Sequence, residues 1–296
     1  MNLEIKEMKL SIFSHCALDT ISIEGKSYEQ IGGAASYCGI MAREFKFDVN
    51  LFTKFGFDFP KQYLTEHKIN LINSESEKNT TKFSIFISGA DRTLKLENEC
   101  DPIDYSNLDA DGHIVSPIFH EISDDVFKKI KYDSNFLFVD PQGFLRQKDS
   151  ENNIVLKKTN LDLSNVNAIK INPEEGKNIV SGSHDEMMLA LQKMGIEYVL
   201  LTNKTDISLL VKNRVYSIKL PNKNIHDTTG VGDIFCSAFT CTMLKEKDFL
   251  WALCFAAGSA QAALESNNVG LQKIPKKGMV ENNASYFYNL VDFRDL

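Results

Sequence analysis

Seven residues near the C-terminal end, Asp227-Thr228-Thr229-Gly230-Val231-Gly232-Asp233, combine the groups that phosphate chemistry needs. Two glycines, a polar run and a closing aspartate lead into Val231, Ile234, Phe235, Ala238 and Phe239. Those apolar residues recur at helical spacing, which predicts a helix from about Gly230. Glycine lets the backbone turn tightly and approach a ligand. The first N–H groups of a helix have no internal partner and carry the positive end of its dipole, so they form an anion hole. Asp233 would stand in the first turn, beside that anion. A carboxylate there can accept the proton of a hydroxyl that attacks a phosphoryl group. The plainer reading is a glycine-rich turn with an acidic helix start, an arrangement the dipole favours anyway.

Three further stretches carry the same double reading. Asp19 follows a first strand, and Gly32-Gly33 open a helix. These are either turn residues or a polyol site, in which a carboxylate accepts bonds from two hydroxyls and glycine N–H groups reach the sugar with no Cβ in the way. Asp140-Pro141-Gln142-Gly143-Phe144-Leu145-Arg146 ends a strand, the edge where α/β sheets place ligands. It is an ordinary proline-glycine loop, or one whose Arg146 steadies a phosphate. Asn172-Pro173-Glu174-Glu175 reads by itself as an N-capped helix with an acidic first turn.

The elements that must position these residues alternate. Met8–Phe13 reads as a buried strand, Ile21–Ile23 with a Gly25-Lys26 turn as an exposed antiparallel excursion, and Ala34–Phe45 as a helix. Val49–Phe55 reads as a strand. Lys82–Ser88 and Thr93–Glu97 read as a hairpin around Gly89-Ala90-Asp91. Strands at His113–Ser116, Phe136–Asp140, Ala168–Ile171 and Tyr198–Thr202 alternate with helices at Ser123–Lys131, Glu174–Ser181 and His184–Met194. Such alternation predicts a parallel sheet covered on both faces. Ile207–Val211 and Arg214–Leu220 form a late hairpin, Phe249–Leu264 a buried helix, and Asn282–Val291 a closing amphipathic helix. The expected organisation is a single domain over 1–296, an α/β core with a small β lid from about 20–31 and 80–97.

Composition narrows the class. Apolar residues are 43% of the 296, enough for a large core, and 33 basic against 40 acidic residues give a net charge of −7. That balance argues against nucleic acid or an anionic membrane as the main partner. The six cysteines include no C-x-x-C pair, and the histidines show no zinc spacing, so buried free thiols in a reducing, cytoplasmic setting are expected. No signal peptide or membrane span is legible. A Walker A loop is not formed by Gly25-Lys26-Ser27, because Thr20 takes its first glycine position; a dinucleotide fingerprint is excluded by Phe235 at its third.

The run at 227–233 resembles the Asp-Thr-x-Gly-Ala-Gly-Asp signature of the ribokinase (PfkB) family of carbohydrate kinases, with Val231 for the usual alanine. Asp19 with Gly32-Gly33 resembles that family's substrate motif. Tyr37 replaces the asparagine of ribokinases proper, which points away from ribose itself. Lys54-Phe55-Gly56-Phe57-Asp58 resembles a structural Gly-x-Asp segment. Lid strands in the family contribute a side chain to the sugar, which singles out Arg92, the only basic residue placed near the pocket. Asn172 and Glu175 match an Asn-x-x-Glu pair that organises water-coordinated Mg²⁺ and nucleotide phosphates, and magnesium needs few protein groups. Thr202 begins what is usually Thr-x-Gly-x-x-Gly; both glycines are missing, and Lys204 offers a charge instead. Ala257 and Gly258 fall where the family lines its adenine pocket, and Gly270 where a glycine closes that side. Asp227 and Thr229 fall at positions that hold a monovalent cation in some members. The matches run in order over about residues 10–275.

The resemblance implies a ribokinase-like three-layer α/β/α fold with a mostly parallel sheet and a small β lid. It implies an ATP-dependent kinase with Mg²⁺, and K⁺ as a further cation. Asp233 would be the base, and Gly230, Val231 and Gly232 the anion hole. Asp19, Gly32, Gly33, Tyr37 and Arg92 would hold the substrate, an uncharged sugar or a cyclitol such as inositol. Asn172, Thr202, Lys204, Gly230, Gly232, Ala257 and Gly258 would hold the nucleotide. A nucleoside kinase is the alternative within the family, and a non-catalytic binding module on the same fold the alternative outside it. Open lid edges would suit a homodimer.

Overall fold

Leu10, Ile12 and Phe13 make the first strand, β1 (Lys9–Phe13), apolar on both faces, as a strand covered by two helical layers must be. The computed structural model describes residues 7–23, 25–88, 91–221 and 227–296. After β1 the chain leaves the core in β2 (Ala17–Ile23) and β3 (Lys26–Gly32), then returns through α1 (Ala34–Glu44), β4 (Asp48–Phe52), the short α2 (Gln62–Glu66) and β5 (Ile69–Ile72). A second excursion is β6 (Thr81–Ser88) and β7 (Asp91–Asn98); the turn expected at Gly89-Ala90 lies outside the described residues. The alternating part is β8 (Gly112–Val115), α3 (Asp124–Asp133), β9 (Leu137–Val139), the one-turn α4 (Gln142–Leu145), the hairpin β10 (Arg146–Lys148) and β11 (Ile154–Leu156), β12 (Ala168–Ile171), α5 (Pro173–Ile179), α6 (His184–Lys193) and β13 (Tyr198–Asn203). Then come β14 (Asp206–Val211), β15 (Arg214–Lys219), α7 (Val231–Glu246), α8 (Phe249–Leu264), a 3₁₀ turn at Gly270–Lys273, α9 (Lys277–Tyr288) and β16 (Asp292–Asp295).

Ten strands form one sheet in the order β16-β15-β14-β13-β12-β9-β8-β1-β4-β5. It is parallel from β5 to β13 and antiparallel from β13 to β16. One face is covered by α1, α7, α8 and α9, whose apolar side chains join Leu10, Ile12 and Leu51 in one core. The other is covered by α3 and α6, with Phe127, Ile130, Met187 and Leu191 packed against Val115, Val139 and Ile171. The arrangement is three-layered, α/β/α, with a mostly parallel sheet. All six cysteines are free and buried.

The two excursions form a separate four-stranded sheet, β3-β2-β6-β7. β2 is antiparallel to β3 and parallel to β6, and its Asp19 stands opposite Gln30 on one side and Phe83 on the other. The sheet's inner face is apolar: Ala17, Ile21, Phe83, Ile85 and Leu96 close over Ala34, Ile118 and Phe119 of the core. A buried Glu121 ties its base to the core by accepting from the backbone N–H groups of His15, Ile118 and Phe119 at 2.9, 2.7 and 2.7 Å.

Three expectations need correction. The closing helix runs from Lys277 to Tyr288, earlier than the 282–291 read from sequence, because Val280, Ala284 and Phe287 are the residues that bury. β16 follows it and pairs β15, although all four of its residues are exposed, so no burial pattern marked it. The segment after Asp140 is a helical turn and a hairpin rather than a loop alone.

Candidate active site

Gly230 is the N-cap of α7, in the left-handed region with φ 75° and no side-chain cap. A Cβ at this position would lie 2.5 Å from three carbons of the Tyr37 ring, so only glycine allows the ring to pack against the turn. Asp227 shapes the approach: its Oδ1 accepts from the Thr229 N–H at 2.8 Å. The Val231 N–H, first in the helix and expected in the anion hole, instead donates to the Thr228 carbonyl at 3.3 Å, so the N–H groups that open at this fixed turn are those of Gly232 and Asp233.

Asp233 lies with Tyr37, Gly230 and Gly232 in a cavity of about 150 Å³. The cavity's lid wall is Asp19, Phe83, Ile85 and Leu94, and Gly33 and Ala34 line it at the start of α1. Gly33 has φ 81°, and a Cβ there would meet the His15 carbonyl oxygen at 2.3 Å. Gly32 makes room for Asp19 itself: a Cβ at Gly32 would lie 1.9 Å from Asp19 Oδ2. One glycine thus passes the aspartate side chain and the other turns the chain into the helix, and of the two Gly33 lines the cavity.

The same cavity holds two cations that sequence reasoning treated differently. Arg146 donates to the Ile118 carbonyl at 2.8 Å and to Gln142 Oε1 at 2.9 Å, with its guanidinium 5.8 Å from the Phe83 ring centre. Lys170 arrives from β12; its Nζ is 2.6 Å from Asp140 Oδ2 and 3.9 Å from Glu175 Oε2. A Cβ on Gly232 would lie 3.5 Å from that same Nζ, so the ammonium faces the N-terminus of α7. Arg92 is therefore not the only basic residue near the pocket, as the sequence had suggested. It stands on β7 opposite Ile87, and its side chain lies outside those described. A charge inside the otherwise apolar strand Ala-Ile-Lys-Ile was the available signal for Lys170, since a buried lysine needs a partner.

Burial pushes the Asp233 carboxyl up to about 7, and the neighbouring Asp140 adds to the effect; Lys170, Arg146 and a 3.5 Å bond from Ser116 Oγ oppose it. Burial likewise raises the Glu175 carboxyl, against the pull of Lys170. Asn172 and Glu175 form a reciprocal capping box: Asn172 Oδ1 accepts from the Glu175 N–H and Glu175 Oε2 from the Asn172 N–H, both at 2.8 Å. The plain structural reading of this pair is thus present. With Asp140 it also offers only oxygen donors, which suits a hard ion that keeps its waters. No cluster of three or more metal-binding side chains exists among the described residues.

The residues expected along the nucleotide are dispersed. Thr202 is the last residue but one of β13, half-buried, and Lys204 is exposed in the β13–β14 turn at φ 55°. Ala257 is wholly buried in the core. Gly258 lets α8 and α9 touch, since a Cβ there would lie 2.9 Å from both the Val280 carbonyl oxygen and the Ala284 nitrogen. None of the four lines the cavity that contains Asp233. Asp227, expected at a cation, is bound by Lys273, whose Nζ is 2.9 Å from Asp227 Oδ2. Thr229 is buried and lines the cavity beside Gly230.

No helix among the described residues is long and apolar enough to cross a membrane. A family model for pfkB family carbohydrate kinases matches residues 142–277. Comparison with curated proteins gives no match. Among solved structures, the chain is similar to a pyrophosphate-dependent kinase in the ribokinase family complexed with a pyrophosphate analog and myo-inositol, at 17% identity and TM-score 0.78, over 90% of this chain and 99% of the other. It is similar to Arabidopsis thaliana ribokinase complexed with ribose and ATP, at 14% identity and TM-score 0.73, over 94% and 99%. Against the Methanocaldococcus jannaschii nucleoside kinase the values are 18% and 0.72, over 95% and 99%. At these identities the structural likeness concerns the fold. Residues 142–277 match the model of pfkB family carbohydrate kinases, and the chain as a whole has a ribokinase-like fold.

Proposed function

We propose that the protein is a kinase that phosphorylates a hydroxyl of a small uncharged polyol, a sugar or a cyclitol, with Asp233 as the base. The observation that carries this reading is Asp233 itself: a buried carboxyl poised near neutrality, at the mouth of an anion hole, in a cavity whose far wall is Asp19. Asp19 accepts bonds from two acceptor hydroxyls and sets the ring, while Tyr37 and Phe83 supply flat apolar surface for its C–H side. The attacking hydroxyl gives its proton to Asp233 as its oxygen bonds to the terminal phosphorus of the donor, and the bond from that phosphorus to the leaving phosphate breaks. Backbone N–H groups of Gly230, Gly232 and Asp233, with Lys170 and Arg146, hold the charge that spreads over the transferring oxygens. Asn172 and Glu175 would hold Mg²⁺ through water; the ion, when bound, neutralises donor phosphates. Lys170 is already paired with Asp140 and faces the N-terminus of α7, at the phosphoryl-transfer end, while Arg146 is held by the Ile118 carbonyl and Gln142. That arrangement favours an acceptor without its own phosphate.

A second reading concerns the donor. ATP is the donor the resemblance implies. The close α8–α9 contact at Gly258, together with the glycines missing after Thr202, favours a short anion such as pyrophosphate, which needs no adenine pocket. The similar pyrophosphate-dependent kinase points the same way. One experiment tests both readings: initial rates for ATP and pyrophosphate, each crossed with free sugars, inositols, nucleosides and their phosphates. Turnover of a free polyol that disappears in Asp233→Asn is the expected result. A sugar phosphate with the higher kcat/KM would overturn the acceptor assignment. Absence of transfer in every combination would leave the non-catalytic binding module.

A further inference from the structure

The resemblance places a monovalent cation at Asp227, but a side chain of this same protein already occupies that carboxylate. Lys273, at the end of the Gly270–Lys273 turn, is fully buried, and the Asp227 side chain is only 2% exposed. Its Nζ donates to Asp227 Oδ2 at 2.9 Å and to the Asp227 backbone oxygen at 3.0 Å. The Tyr37 ring lies beside the same ammonium, its centroid 6.0 Å from Nζ. The Gly270 N–H adds a contact to Asp227 Oδ2 at 3.3 Å. A carboxylate and a carbonyl oxygen on one residue are what a potassium ion would take, and an alkylammonium head is of similar size and the same charge. The residues present therefore do not fit a dissolved cation at this place.

We propose that the Lys273 ammonium is a built-in monovalent cation that fixes the anion-hole turn and makes it independent of dissolved K⁺. The chain of contacts is short. Lys273 holds both the carboxylate and the carbonyl of Asp227, Asp227 Oδ1 holds the Thr229 N–H, and Thr229 adjoins Gly230, the left-handed cap of α7. The Tyr37 ring lies against Gly230 and under the ammonium, which closes the circuit. Lys273 is thus a positioning residue: it acts on phosphoryl transfer through the turn and touches no reacting atom. A tethered charge carries no cost of capturing an ion from solution. Without the charge, the buried Asp227 carboxylate would lack its counter-ion, an expensive state that a dissolved cation of the right size would relieve. The effect on turnover rests on the kinase reading above; the effect on ion binding does not.

The test compares full-length wild type and Lys273→Ala in potassium chloride, sodium chloride and choline chloride at equal ionic strength, by thermal unfolding and, separately, by initial rate. Wild type is expected to melt at one temperature in all three salts, with rates equal within about twofold. Lys273→Ala is expected to melt lower in choline chloride, to regain part of the loss in potassium chloride specifically, and to be stimulated about tenfold or more by K⁺ or NH₄⁺. A K⁺-specific rise in wild-type melting temperature or rate overturns the proposal. So does a Lys273→Ala protein that melts alike in every salt. If the alanine variant does not fold in choline chloride, its recovery in potassium chloride supports the proposal, and failure to fold in any salt passes the decision to Lys273→Gln under the same comparison. Absence of phosphoryl transfer alongside a K⁺-specific melting shift in the variant would remove the kinase reading and leave the cation site standing.

Discussion

Asp233 meets Asp140, Lys170, Arg146 and Ser116 in one buried place, and the balance leaves its carboxyl near 7. Only the ionised form can accept the acceptor's proton, so kcat/KM is expected to rise with pH through about 7 and then level off. A profile flat across the neutral range would place the base elsewhere. The same shift has a stability sign. A carboxyl raised in the folded state contributes stability that is fully present below its unfolded value and is lost as pH rises through its folded one. Asp233→Asn is neutral at every pH, so above about 7 it is expected to be more stable than wild type by up to about 4 kcal/mol in chemical denaturation. Its kcat should fall at least ~10²-fold. Greater stability with lost turnover would mark a carboxylate held against folding for function. Asp233, Asp19 and Gly33 were legible from sequence because each belongs to a short motif whose residues stay together in the fold. Lys170 was not, because its partner Asp140 lies just past the neighbouring strand β9 and the spacing along the chain says nothing of that meeting.

Two pairs of elements carry their own controls. Gly230 and Gly25 share nearly the same backbone, φ 75° and 79°, but a Cβ at Gly25 meets nothing within 4 Å, whereas one at Gly230 meets the Tyr37 ring. Gly25→Ala is expected to lose only the left-handed penalty of about 1–2 kcal/mol. Gly230→Ala should lose more than that and should also lose turnover, as denaturation and initial rates on both variants would show. Equal losses would mean that the Tyr37 contact yields easily. The second pair is the capping boxes of α5 and α6, Asn172/Glu175 and Ser183/Glu186, which have the same internal bonds. Glu186→Gln and Glu175→Gln should each lose up to about 1 kcal/mol of cap. Only Glu175→Gln should raise the Mg²⁺ concentration for half-maximal rate, and an unchanged requirement would confine Glu175 to capping. α8 was legible to the residue, because Phe249–Leu264 is apolar all round and polar at its ends. β5 and the β10–β11 hairpin were not read, since strands of three or four residues with one exposed side carry little period.

Across the whole molecule, the sheet's parallel part followed from the alternation of strands and helices, but the lid's topology did not. β2 pairs with β6 about sixty residues later, and nothing local in either strand specifies a parallel neighbour. The packing at Gly258 was hidden for a related reason: the glycine faces α9, which lies about twenty residues on, and nothing local in α8 announces that contact. The buried cysteines turn this packing into a chronometer. Burial pushes Cys16 up to about 11 and Cys241 and Cys254 up to about 12, and holds Cys38 and Cys236 well above the usual thiol range. At neutral pH these thiols are neither thiolate nor reachable, so an alkylating reagent can modify them only in molecules that have opened. Mass spectrometry of timed alkylation should therefore show two populations, unmodified and fully modified, exchanging at the rate of unfolding. Early single-site labelling at Cys38 or Cys236, which flank Asp233, would instead report that the α1–α7 seam opens by itself; slower labelling with an acceptor or donor present would give the ligand's affinity without any assay of turnover.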